Sequence, residues 1–243
     1  MKTQFLIGTS GWSYPHWFGR FYPEDWPKSK WFEFYVQKFP TVEVNATFYR
    51  TFQDQTYYNW RAKAPAGFLY VLKAPRLITH RKYLQEVENE CRSFWKSAAL
   101  LEDRLGLILL QLAPNTPYEP QRLRAALLAL HDPKKIAVEF RHPRWFTEET
   151  KLLLKEMGAV FCAADSPKTR LLDWVTAETA YIRLHGRTRW FAYEYSEREL
   201  QEIAELAKVM AGAGAKRVFI FFNNDVDGSA PRNALTLSGL LKL

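Results

Sequence analysis

Ile136-Ala137-Val138-Glu139-Phe140-Arg141-His142 is the stretch on which the fold turns. Apolar residues run into Val138, then an acid, a guanidinium and an imidazole crowd the exit and Pro143 ends the run. A short strand covered on both faces reads in this way, because a parallel sheet between helices has no polar face. Phe5 to Thr9, Thr41 to Asn45, Phe68 to Lys73, Leu105 to Gln111, Ala159 to Ala164, Ala180 to His185 and Arg217 to Phe222 repeat the pattern.

Between these runs the spacing predicts helices over Ser29–Phe39, Gln53–Ala64, Leu84–Leu101, Pro120–Leu130, Thr147–Met157 and Ser196–Met210, with a last one from Pro231. Thr147 suits an N-cap followed by two acids in the first turn, and Ser196 with Glu199 fits a capping box. Strand and helix alternate eight times, which predicts a parallel α/β architecture. The length of 243 residues suits one (β/α)8 TIM barrel, a single domain over residues 1–243 with an irregular unit after the sixth strand. The first strand is not followed by GxGxxG, which disfavours a dinucleotide fold.

Composition narrows the function classes. Aromatics make up 16% of the chain, with nine Trp and twelve Tyr, more than a core requires, so some are expected to line a groove. A formal charge of +8 favours an anionic partner, with nucleic acid one candidate. The two cysteines, Cys91 and Cys162, have no metal-type spacing and read as packed thiols of a reducing compartment. The first apolar run is too short for a leader or a membrane span, so no membrane partner is expected and the cytoplasm is the expected location.

A TIM barrel carries its active site at the C-terminal ends of its strands. The residues placed there are Glu43 and Asn45, Lys73, Gln111, Glu139 with Arg141 and His142, Asp165, Arg183 with His185, and Asn223 with Asn224. Three chemistries compete for them. Two carboxylates, Glu43 and Glu139, would suit a sugar-processing enzyme, but they sit on strands two and five, whereas strands four and seven end in Gln111 and His185. His142, His185, Glu43, Glu139 and Asp165 are metal-ligand types, and His80 adds another. None forms a tight motif, and Lys73, Arg141 and Arg183 would repel a divalent ion, so no cofactor is expected and a metal stays open. An anion site uses more of the rim: Lys73, Arg141, Arg183 and Arg187 supply charge, and backbone N–H groups lie at the helix start near Gly228-Ser229.

The expectation is an enzyme, a hydrolase or lyase acting on a small anionic or phosphate-bearing ligand. Glu139, His185, Glu43 and Asp165 are its catalytic candidates. Trp12, Trp17, Tyr49 and Trp190 are its aromatic walls.

Several motifs together resemble those of the YecE-like proteins, domain of unknown function seventy-two. They are Gly8-Thr9-Ser10-Gly11-Trp12, Val42-Glu43-Val44-Asn45-Ala46-Thr47-Phe48-Tyr49-Arg50 and Ile78-Thr79-His80. Ala137 to His142, Asp165-Ser166-Pro167, Tyr181 to Gly186, and Phe222-Asn223-Asn224 with Asn233-Ala234 belong to the same set. The resemblance implies a TIM barrel and no settled reaction. A similarity of that family to endonuclease IV-like barrels implies the further alternative of a nucleic-acid-binding protein or metal-dependent nuclease.

Overall fold

A computed structural model describes residues 2–225 and 227–242 of the chain. The strands are β1 (Gln4–Thr9), β2 (Thr41–Val44), β3 (Leu69–Lys73), β4 (Leu105–Gln111), β5 (Ile136–Glu139), β6 (Val160–Asp165), β7 (Thr179–Leu184) and β8 (Arg217–Phe222). The helices are α1 (Trp31–Lys38), α2 (Ala46–Tyr49), α3 (Asp54–Lys63), α4 (Glu88–Ala98), α5 (Pro120–Ala129), α6 (Glu148–Met157), α7 (Glu197–Gly212) and α8 (Ser229–Leu240). The chain divides into two compact units, Met1–Glu43 with Ala163–Leu243, and Val44–Cys162.

In the first unit β8 lies parallel between β1 and β7, and Ile7, Ile220 and Ile182 stand in one register. A parallel bridge from Ser10 to Glu43 sets the end of β2 beside β1. Gly8 allows that approach. A Cβ there would lie 2.2 Å from the Thr41 carbonyl oxygen. Since backbone cannot step aside as a side-chain tip can, Gly8→Ala is expected to cost about 1–3 kcal/mol or more. Chemical denaturation of the purified variant measures this directly.

In the second unit β4 pairs with β3 and β5, and β5 with the start of β6, all in parallel. Every residue of β4 and β5 is buried, as their apolar sequences require. The register sets Gln111 opposite Glu139 and Lys73 opposite Leu109, so polar side chains collect where the strands end.

The caps act as their sequences predict. Thr147 Oγ1 accepts from the Thr150 amide, and Ser196 with Glu199 forms the full capping box. One predicted boundary is wrong. Leu84 to Leu101 is not one helix: Tyr83, Leu84 and Glu86 take positive φ, α4 begins only at Glu88, and a 3-10 segment follows it. Leu84, Val87, Cys91 and Phe94 are buried at helix-like spacing, which is why the pattern extends too far back. After β2, Ala46–Tyr49 form the short helix α2, which the spacing does not predict. The connection after β6 is irregular up to β7, as expected. Among the described residues no helix is long and apolar enough to cross a membrane.

Candidate functional site

The strand ends of each unit carry a polar cluster, and the two clusters differ in kind. In the first unit β2 delivers Glu43 and β7 delivers Tyr181 and Arg183, whose alternation puts both on one side. Arg183 grips the carboxylate with two nitrogens, Nε to Oε2 at 2.8 Å and NH2 to Oε1 at 2.7 Å. Tyr181 donates to Oε2 at 2.6 Å and Ser10 to Oε1 at 2.7 Å. Glu43, Arg183 and Tyr181 are all wholly buried. Burial alone would raise the Glu43 carboxyl. The charge and hydrogen bonds of Arg183, with those of Tyr181 and Ser10, outweigh it and hold the group below the usual carboxylate range.

The network continues through Arg183 NH1 to His185 Nε2 at 3.2 Å. A guanidinium only donates, so Nε2 is the acceptor of that bond. Nδ1 lies 3.1 Å from Asn223 Nδ2, and an Nδ1–H bond there requires the Asn223 amide to be turned so that its oxygen accepts. His185 is wholly buried, and Trp190 and Phe191 lie against its ring. Glu43 and His185, expected as a catalytic acid and a proton carrier, are joined through Arg183 in one buried network. Arg183, expected to bind an anion, is already neutralised by Glu43. Ser10 is buried with its hydroxyl on that same carboxylate.

Other expected residues of this unit do local work. Asn224 is buried and donates to the Tyr193 carbonyl and Asn233 Oδ1, tying a loop to α8. Its own Oδ1 is buried without a partner among the described residues. Trp12 packs edge-on against Phe32. Asp165 accepts from Arg187 Nε at 3.2 Å. Burial raises its carboxyl above the ordinary value, and Arg187 only partly offsets that. The sequence reading missed His16 and Asp225, whose side chains meet at 2.9 Å while Trp17 Nε1 donates to the same carboxylate oxygen. The loops after β1 and β8 that carry them have no periodic signal.

The second unit gathers Lys73, His80, Gln111, Glu139 and Arg141. Lys73 is nearly buried, with Nζ 4.0 Å from the Phe48 ring centroid. Gln111 Nε2 donates to both Glu139 oxygens at 2.9 Å, and Arg141 Nε donates to Oε1 at 3.0 Å. Glu139 is 1% exposed while the Arg141 side chain is 21% exposed, so the carboxylate holds the guanidinium at the surface. His80 stands on a single π-helical turn, Leu77–Arg81, of the kind that often marks a functional site. Its Nδ1 meets Thr79 Oγ1 at 2.8 Å and its ring is edge-on to Phe48.

Burial lowers the His80 pKa first; Lys73, Arg141 and Arg76 lower it further, and Glu139 only partly opposes them, leaving it at about 4. The ring is therefore neutral at neutral pH and sits in positive potential. Of the remaining expected residues, His142 Nδ1 accepts from the Arg144 amide and caps a 3-10 turn. Tyr49 is 75% exposed and leans on Phe48. Asn45, expected to bind substrate, has a buried Oδ1 with no partner among the described residues. Among the described residues no three His, Cys, Asp or Glu side chains are grouped to hold a metal ion.

Eight parallel strands alternating with helices, with charged groups at their C-terminal ends, define a TIM-barrel protein of the α/β class. Residues 6–243 match the family described as "Protein of unknown function DUF72", and the chain belongs to that family. The chain is 24% identical to UPF0759 protein YunF of Bacillus subtilis (strain 168), over 98% of this chain and 94% of that protein. A crystal structure of a DUF72 family protein from Thermotoga maritima shares 29% identity with a TM-score of 0.89, covering 99% of this chain and 100% of that one. Another, from Enterococcus faecalis, shares the fold at 21% identity and a TM-score of 0.83, covering 99% of this chain and 96% of that one.

Proposed function

We propose that this protein is an enzyme of hydrolase or lyase type acting on a small anionic, phosphate-bearing substrate at the cluster of Lys73, His80, Glu139 and Arg141. Lys73, Arg76 and Arg141 receive the anion. Glu139, fixed by Gln111, aims Arg141. His80 is the proton carrier: with Nδ1 on Thr79, its Nε2 takes a proton from an attacking water or from an acidic C–H of the substrate. What supports this reading is the grouping of Lys73, Arg141 and Arg76 around a half-buried imidazole, whose pKa is lowered by burial first and then by these three cations. Few structural needs place a base beside three like charges, whereas a bound anion would relieve that arrangement.

The same electrostatics supplies the test. Inorganic phosphate bound at Lys73 and Arg141 offsets the charges that disfavour imidazolium, so the His80 midpoint should rise from about 4 by roughly one unit or more. Imidazole NMR titration with and without phosphate measures it, with His80→Gln assigning the resonance. A midpoint that phosphate does not move would sink the reading. A panel of phosphate esters then seeks turnover, which should disappear in His80→Gln.

A further inference from the structure

Asp165, Ser166, Pro167, Lys168, Thr169, Arg170, Leu171 and Arg187 line a cleft of about 480 Å³ in the first unit. It uses none of the residues assigned to the Lys73–His80 cluster. Its size is in the range of small-molecule pockets. One wall is rigidly built. Ser166 and Thr169 exchange backbone hydrogen bonds across a tight turn. Ser166 Oγ accepts from the Lys168 and Thr169 amides, and Thr169 Oγ1 is anchored on the Ala164 carbonyl.

The lining at Arg187 is fixed too. Arg187 reaches Asp165 at 3.2 Å, Glu202 at 2.9 Å and Glu199 at 3.4 Å, so three carboxylates hold one guanidinium and outweigh its charge. Lys168 and Arg170 differ: among the described residues neither has an ion-pair partner. The cleft therefore presents, on a preformed turn, two cations without an ion-pair partner among the described residues. Its lining includes a buried carboxylate, Asp165, which is 6% exposed. Two cations match a dianion, and a buried carboxylate matches hydroxyl donors.

We infer that this cleft is a binding site for a polyhydroxylated phosphate monoester, with the phosphate on Lys168 and Arg170 and a hydroxyl donated to Asp165. The ligand class is a sugar phosphate. Glucose 6-phosphate, glucose and inorganic phosphate are suitable probes, read by amide NMR at residues 166 and 168–171 and at the Arg187 side chain. Glucose 6-phosphate should shift these signals and bind at least roughly tenfold more tightly than either fragment. The double variant Lys168→Ala/Arg170→Ala, at exposed positions, should lose that binding by about tenfold or more without a change in melting temperature. Asp165→Asn should weaken glucose 6-phosphate binding but leave inorganic phosphate unchanged. Unmoved signals at residues 166 and 168–171, equal affinity for inorganic phosphate and glucose 6-phosphate, or full binding by the double variant would each overturn the assignment. Because the readout is local, a silent cleft leaves the phosphate response of His80 to be judged separately, and the reverse also holds.

Discussion

Glu43→Ala is expected to lower the unfolding free energy by about 3–5 kcal/mol, which for a chain of this size moves the melting temperature down by roughly 10 °C. The residue is wholly buried and receives Arg183 twice, Tyr181 once and Ser10 once. Its removal strands a buried guanidinium and two buried hydroxyls, each with a desolvation cost no longer met. The pair itself need not stabilise, because taking both charges out of water costs about as much as their attraction returns. Glu43→Met with Arg183→Met should therefore recover most of what Glu43→Ala loses.

The pH dependence has a definite sign. The Glu43 pKa is lower in the folded protein than its unfolded value of about 4.5. Its contribution is present in full above that value and is lost as pH falls through the folded pKa. A residue kept for catalysis behaves in the opposite way, since removing a functional charge commonly raises stability. Thermal denaturation of Glu43→Ala decides between the two. A melting temperature unchanged or raised would return Glu43 to the list of catalytic candidates.

What could be read from the sequence follows the range of the interactions involved. The bounds of β4 and β8 are those the apolar runs predict, because a strand covered on both faces writes its limits into consecutive residues. The order Tyr181, Ile182, Arg183 already places the tyrosine and the arginine on one side. It cannot show that they close on Glu43, 138 and 140 residues away in the chain. That distance separates a rim of charged candidates from a sealed ion pair. His80 fails for a different reason. A single π turn has no repeat to detect, and the false helical pattern from Leu84 hides the break that follows it. The motif Ile78-Thr79-His80 marks the place, but the neutral state of the ring depends on Lys73, Arg141 and Arg76, which come from other segments.

That dependence makes Lys73→Met the most informative change at the proposed site. Among the charges that hold down the His80 pKa, Lys73 comes first, after burial. Methionine keeps an apolar chain over the Phe48 ring, so packing is largely retained while the charge goes. The His80 midpoint should then rise by about one unit, and phosphate affinity should fall by roughly 10- to 100-fold, the worth of one charged hydrogen bond. Stability should change in step. With a folded pKa of about 4 against 6.5 unfolded, the unfolded chain binds the extra proton between those values, so stability falls as pH drops through that window. After allowance for solvent at a half-buried ring the loss is on the order of 2 kcal/mol. Lys73→Met should shrink it, and His80→Gln should abolish it. If Lys73→Met leaves the midpoint near 4, burial alone keeps the ring neutral, the surrounding cations have no hold on it, and the case for an anion at this cluster fails.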